Sequence, residues 1–236
     1  MLKDIPELPV WKGALSHPFY SVIVKRILDF LLALILLIPG VILMLPIAVA
    51  VKLDSAGPIF YRAPRGGYHN KTFLIFKFRT MVKDADKTGG TTALNDARVT
   101  RVGRILRKTK LDEIPQLLNI LTGEMSFIGP RPELLRYTMR YNSDQECILW
   151  VRPGISDESS LVYINQDEML GTENPVEKYE KYILGNKNAL RVEYALHQSF
   201  LLDAKLFMRT IVGVFKKAKR VVREENTKAA PGKENA

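Results

Sequence analysis

The sequence predicts an α+β protein, mostly helical, with a small β-hairpin and an N-terminal re-entrant membrane helix broken at a proline. Three observations lead there. Phe30 to Val51 contains no charged residue, two short β-prone runs flank a turn-rich stretch, and helical spacing of apolar residues covers much of the remainder. The chain has 236 residues, 47% of them hydrophobic, which is enough for one core with an appendage.

Residues 1–24 hold Pro6, Pro9 and Pro18 among aromatic Trp11, Phe19 and Tyr20, and read as an irregular interfacial lead-in. They do not read as a signal peptide, because Lys25-Arg26 comes late and no small-residue cleavage site follows the apolar run. Residues 25–52 read as the membrane helix. The 22 uncharged residues would span roughly 33 Å as a helix, enough to cross a bilayer. Pro39-Gly40 stands near the middle, however, where proline removes a backbone hydrogen bond. Basic residues also flank both ends, Lys25 and Arg26 before, then Lys52, Arg62, Arg65, Lys71 and Lys77 after. The positive-inside rule keeps both flanks on the cytoplasmic side. A helix broken at Pro39 that enters and leaves by one face satisfies both facts, while a proline-kinked single span is the alternative.

Residues 53–216 form the main domain. Ile59-Phe60-Tyr61-Arg62 and Phe73-Leu74-Ile75-Phe76-Lys77 around Pro64-Arg65-Gly66-Gly67 predict a hairpin. Residues 84–97 are polar and read as a loop. Val99, Val102, Ile105 and Leu106 have helical spacing within 98–110, and a second helix is expected from Asp112 to Leu121 with Pro115 in its first turn. Later helices are expected near 133–150, 175–184 and 187–216. Residues 217–236 are polar and basic, and read as a disordered, solvated tail.

A formal net charge of +10 and a pI near 9.6 imply anionic partners, without choosing among nucleic acid, acidic lipid and phosphorylated substrates. Cys147 is the only cysteine, so no intramolecular disulfide forms, and it reads as a small buried hydrophobe. His17, His69 and His197 are too scattered for a zinc site.

Chemistry concentrates in two places. Arg98, Arg101, Arg104, Arg107, Lys108 and Lys110 precede the acidic pair Asp112-Glu113 at a predicted helix start. Cations beside free backbone N–H groups suit a phosphate-rich ligand. An aspartate held ionised there can attack phosphorus or hold a metal. The plainer readings are an N-cap for Asp112 and a solvated basic face. Second, Pro130-Arg131-Pro132 fixes the backbone on both sides of one arginine, which suits bidentate phosphate binding, or is simply a proline-rich turn.

Taken together, these stretches resemble the bacterial sugar transferases, the monotopic phosphoglycosyl transferases that act on polyprenol phosphate, in their minimal form. The resemblance is carried by Lys25-Arg26 with Asp29, Gly57-Pro58-Ile59-Phe60, Lys77-Phe78-Arg79-Thr80-Met81 and Arg98 to Arg107. It continues through Leu111-Asp112-Glu113-Ile114-Pro115-Gln116-Leu117, Gly123 to Pro132, Arg152-Pro153-Gly154-Ile155 and Ser199 to Asp203, in order over roughly residues 20–215. One segment departs: many relatives follow Pro-Gly-Ile with a Gly-Trp-Ala-Gln-like run, where this chain has Ser156-Asp157-Glu158-Ser159-Ser160.

The resemblance implies a two-step transfer with Mg2+. Asp112 attacks the sugar-linked phosphorus of a UDP-sugar and expels UMP, and undecaprenyl or another polyprenol phosphate then takes the phosphosugar. It implies Asp112 and Glu113 as catalytic and metal-binding residues, and Lys77, Arg79 and Arg131 as phosphate ligands, with Arg98, Arg104 and Arg107 added mainly on charge. It further implies a cytoplasmic catalytic domain at the bacterial inner membrane, and a role in starting exopolysaccharide, capsule, O-antigen or glycoprotein glycan synthesis ahead of further glycosyltransferases. No nucleic-acid partner is expected. The contrasting reading is a non-catalytic, membrane-anchored binder of anionic lipid or nucleic acid, which explains the charge but not the acidic pair.

Overall fold

The structure, a computed structural model, describes residue 13, residues 15–85 and residues 96–229. Helix α1 runs Lys25–Asp54 and is preceded without a gap by a π-helical turn, Tyr20–Val24, so the helix starts inside the expected lead-in. Pro39 and Pro46 lie inside α1, and the helix continues through both. The expected break at Pro39 is therefore not an interruption of the helix. Both prolines are on the exposed face, so the carbonyls they leave unbonded, of Ile35 and Ile42, are freed on the turns facing away from the domain.

One stripe of α1 is buried along its whole length: Lys25, Asp29, Ala33, Gly40, Ile47 and Val51, at spacings of one or two helical turns. Ala33 joins a cluster with Ala63, Phe73, Ile75, Leu117, Ile120 and Met125, and Ile47 and Val51 join Phe78 and Leu106. Each such large side chain contributes about 1.5–3 kcal/mol when fully buried. The remaining faces expose Ile27, Leu31, Leu34, Ile35, Ile38, Ile42, Leu45 and Val49. An apolar surface of that extent marks a membrane-associated segment, and the helix is long and apolar enough to cross one.

Both ends of α1 are tied to the same domain. At the start, Lys25 Nζ is 2.6 Å from Asp203 Oδ2, and Arg26 donates to the carbonyls of Ile120 (2.5 Å) and Leu121 (2.8 Å). At the end, Arg79 donates to the carbonyls of Val51 (3.2 Å), Ser55 (2.6 Å) and Ala56 (2.9 Å). These charge-assisted bonds satisfy helix-terminal carbonyls that water would otherwise reach.

The hairpin forms as expected, β1 (Phe60–Gly66) antiparallel to β2 (Thr72–Phe78) with Phe60 opposite Phe78. Its turn falls later than the sequence implies, at Tyr68–Asn70, where His69 and Asn70 take positive φ. The outer edge of β2 is closed by the Asn119 amide, which accepts from Phe76 N (3.0 Å) and donates to Leu74 O (2.9 Å). Helix α2 (Arg101–Thr109) is N-capped by Thr100, which accepts from Gly103 N, and by Asp54, which accepts from Val102 N, both at 3.0 Å. Gly103 is required there, because a Cβ would stand 2.1 Å from Thr80 O.

The segment expected as one helix from Asp112 is a 3-10 turn, Leu111–Gln116, leading into α3 (Leu117–Leu121). A parallel pair the sequence did not reveal, β3 (Ser126–Ile128) and β4 (Gly154–Ser156), follows. The helix expected over 133–150 is only α4 (Leu135–Thr138) and a 3-10 turn, Glu146–Trp150. Short helices α5 (Glu158–Val162), α6 (Gln166–Leu170) and α7 (Pro175–Lys178) lead to α8 (Leu184–His197) and α9 (Phe200–Ala229). The helix expected over 187–216 is thus two, parted at Gln198-Ser199. Helix α9 continues through residues 217–229, which the sequence reads as disordered tail. Lysine, arginine and glutamate are good helix formers there.

Candidate active site

Lys110 takes the left-handed conformation (φ 63°) and reverses the chain between α2 and the 3-10 turn that carries the acidic pair. Asp112 and Glu113 are both buried in the first turn of this segment, and β2 packs across it. Lys77, the last lysine of β2, places Nζ 3.1 Å from Glu113 Oε1. Arg131 approaches Glu113 from the other side. One of its Nη groups donates to Glu113 Oε2 at 3.1 Å and the second pairs with Oε1. Arg131 also donates to Ile155 O. Burial raises the Glu113 carboxyl, but Arg131 and Lys77 overcome this and hold it well below the usual carboxylate range.

Asp112 is the opposite case. Its Oδ1 is buried and finds no hydrogen-bond partner among the described residues, and Asp112 is not an N-cap, since Lys110 holds that position before the turn. Burial and the neighbouring Glu113 charge push its carboxyl upward, against the attraction of Lys77, Lys110 and Arg107. The expected helix start that favours the charged form meets an opposing environment: the turn is short and enclosed, and its adjacent charge is negative. Arg107 reaches the same cluster, its Nε donating to Thr80 Oγ1 at 2.8 Å with Asp112 the foremost attraction on its charge.

Lys77, Arg107 and Arg131 thus converge on Asp112-Glu113. The other three basic candidates do not. Arg79 is buried and spends its guanidinium on the end of α1. Arg98 is held by Asp96 (2.6 Å) and Ala85 O (2.9 Å), bracketing residues 86–95, which lie outside the described residues. Arg104 is exposed on the outer face of α2. Pro39 adjoins Gly40, where a Cβ would come 3.2 Å from Leu117 Cδ1 and 3.6 Å from Ile114 Cγ2. The apolar helix therefore packs directly behind the turn that carries the acidic pair.

Four residues near the site carry no assigned role in the sequence reading. Thr80 aims Arg107. Gln116 is fully buried on the turn. Asp157 and Arg191 stand behind Arg131. Asp157 enters the sequence reading only within the segment that departs from the family pattern, and nothing in the local pattern marks Arg191.

Among the described residues, no three His, Cys, Asp or Glu side chains converge. Mg2+ does not require such a cage, since it is commonly bound by one or two carboxylates with phosphate oxygens and water. The unpartnered Asp112 oxygen fits that donor set. Glu113, the second expected ligand, has both oxygens engaged by cations.

Two adjacent buried carboxylates, one gripped by cations and one with an unpartnered oxygen, mark a candidate functional site in this basic protein. The family model for bacterial sugar transferases matches residues 20–217. The uncharacterized sugar transferase EpsL of Bacillus subtilis is 37% identical over 190 residues, covering 80% of this chain and 86% of that protein. The UDP-glucose:undecaprenyl-phosphate glucose-1-phosphate transferase of Escherichia coli is 34% identical over 214 residues, 89% of this chain and 44% of that one. An N-acetylgalactosaminephosphotransferase of Aeromonas hydrophila, acting on undecaprenyl phosphate, is 40% identical over 153 residues, 63% of this chain and 36% of the other. The chain belongs to the bacterial sugar transferase family. It spans less than half the length of the Escherichia and Aeromonas relatives.

Proposed function

We propose that this chain transfers a sugar-1-phosphate from a UDP-sugar to undecaprenyl phosphate, releasing UMP, by way of a phosphosugar ester on Asp112. The observation that carries the reading is the asymmetry of the acidic pair. Glu113 is locked by Lys77 and Arg131, whereas Asp112 Oδ1 is unpartnered among cations suited to phosphate. Paired carboxylates in contrasting environments take different roles.

In the first step the Asp112 carboxylate forms a bond to the sugar-linked phosphorus, and the bond from that phosphorus to the bridging oxygen breaks. The electron pair leaves with UMP. In the second, an oxygen of the lipid phosphate bonds to the same phosphorus, and the Asp112 carboxylate departs. Two steps let a soluble donor and a lipid-held acceptor use one site in turn. Arg131 and Lys77 orient and neutralise the donor diphosphate, Arg107 adds positive charge beside Asp112, and Glu113 fixes the two cations that grip it. Mg2+ would be held by Asp112, with Glu113 joining as its cations turn to phosphate, and would offset charge on the diphosphate.

The same reading places the domain on the cytoplasmic face of the inner membrane with both ends of α1 on that face. Support comes from the anchoring of α1, whose two ends and buried stripe all engage one domain. A crossing orientation would carry the Lys25–Asp203 and Arg79 contacts to opposite faces of the bilayer.

The test supplies purified protein with a panel of UDP-sugars, undecaprenyl phosphate and Mg2+, with an EDTA arm. UMP release that EDTA abolishes, and an acid-labile phosphosugar on Asp112 when acceptor is withheld, are the expected results. Release of UDP would instead indicate glycosyl transfer, and salt-sensitive binding without turnover a non-catalytic binder.

A further inference from the structure

The Ser156 to Ser160 segment, which departs from the family pattern, leads behind Arg131. The parallel pairing of β3 with β4 brings the Gly129 to Arg131 strand exit alongside Ser156-Asp157, with Gly129 N donating to Ser156 O at 3.0 Å. Pro130 and Pro132 have no N–H, so Arg131 N is the one backbone donor across those three residues. It donates to Asp157 Oδ2 at 3.0 Å. That carboxylate also receives Arg191 Nε at 3.4 Å and Ser159 Oγ at 2.8 Å. Arg191 Nη2 turns to Glu133 Oε1 at 3.0 Å, two residues beyond Arg131, and Tyr179 OH donates to the same oxygen at 2.5 Å. Arg191 and Asp157 are each 1% exposed.

One buried guanidinium thus ties the carboxylate that holds Arg131 N to Glu133, two residues further along the chain. A buried ion network of this kind is a poor source of stability, because desolvation offsets much of the attraction. What it supplies is a fixed geometry. We propose that Asp157 and Arg191 are positioning residues that hold the Arg131 backbone so that its guanidinium meets the donor diphosphate. The assignment rests on the reading of Arg131 as a phosphate ligand.

The experiment is a mutant cycle on the full-length, Mg2+-supplied enzyme. Asp157→Asn and Arg191→Lys are made in wild-type and Arg131→Ala backgrounds, with cooperative melting checked for each. Asp157→Asn keeps an oxygen for capping, and Arg191→Lys keeps the charge but loses the fork, so one serves if the other does not fold. In the wild-type background each raises the donor KM about tenfold with kcat within about threefold. In the Arg131→Ala background the same changes alter KM less than about twofold, since the group they position is gone. Equal fold-changes in both backgrounds, or an unchanged KM in the wild-type background, overturn the positioning role. An Arg131→Ala enzyme with normal donor KM would instead sink the phosphate-ligand reading itself.

Discussion

Replacing Asp112 with asparagine separates what this residue does for the reaction from what it does for the fold. The side chain keeps its size, so packing around the 3-10 turn is retained. What is lost is a buried charge that the fold disfavours, since burial and Glu113 outweigh Lys77, Lys110 and Arg107 and push the carboxyl upward. A buried polar group without a partner costs about 1–3 kcal/mol. Asparagine also brings an N–H2 group that can face the Glu113 carboxylate. Asp112→Asn should therefore stabilise the protein by about 1–2 kcal/mol, read as a melting temperature about 2–8 °C higher for a domain of this size. Turnover should fall at least about a thousandfold, or about 4 kcal/mol in barrier, because an amide does not attack phosphorus. The assays are UMP release and thermal melting in the same detergent or nanodisc. Turnover above about a tenth of wild type, a loss of only ~1.4 kcal/mol, rejects the nucleophile. A lowered melting temperature refutes the account of its environment.

Other consequences follow from the same geometry. Arg131→Lys keeps the charge but not the fork that spans both Glu113 oxygens, so its donor KM should resemble Arg131→Ala, and near-normal kinetics would contradict bidentate binding. Arg79→Met should lower the melting temperature while the remaining folded enzyme keeps its donor KM, because Arg79 caps α1; a selective rise in KM would return Arg79 to the site. Lys187 is buried against Tyr163 and Tyr179, and burial lowers its pKa from 10.5 to about 8. Between those values the unfolded chain binds more protons, so wild type should gain stability relative to Lys187→Met as pH rises from 8 to 10, by at most about 3 kcal/mol. A flat difference across that window would contradict the assignment. For topology, His17→Cys in a Cys147→Ser background should resist an impermeant thiol reagent applied outside intact cells, and Pro39→Leu with Pro46→Leu should expose it in part. Labelling with the unaltered helix would mean a true crossing.

Much of the site was legible one residue at a time, and its assembly was not. Lys77 and Arg79 are two apart and would share a face of a continuing strand, yet β2 ends at Phe78 and Arg79 turns to the carbonyls of α1. On α2, Arg107 lies four residues beyond buried Gly103 and so faces inward, whereas Arg104 is one step around the helix and meets solvent. Neither the resemblance that proposes Lys77 and Arg79 nor the charge that proposes Arg104 and Arg107 distinguishes within each pair; only orientation does.

The sequence by itself determined the features that depend on near neighbours: the apolar anchor, the β-hairpin, the acidic pair after a basic helix, and an arginine confined by two prolines. These follow from composition, periodicity and backbone restriction within a few residues. Tertiary structure decided the rest. It carried α1 unbroken past Pro39 because packing along one face of the helix holds it across a missing hydrogen bond. It joined Glu113 to Lys77 and Arg131, 36 and 18 residues away, and left Asp112 Oδ1 without a partner. It also set Asp157 and Arg191 behind Arg131 through a parallel strand pair too short to leave a periodic signal. Which charges meet in a buried site is fixed by long-range packing and desolvation, and a linear pattern of residues encodes neither directly.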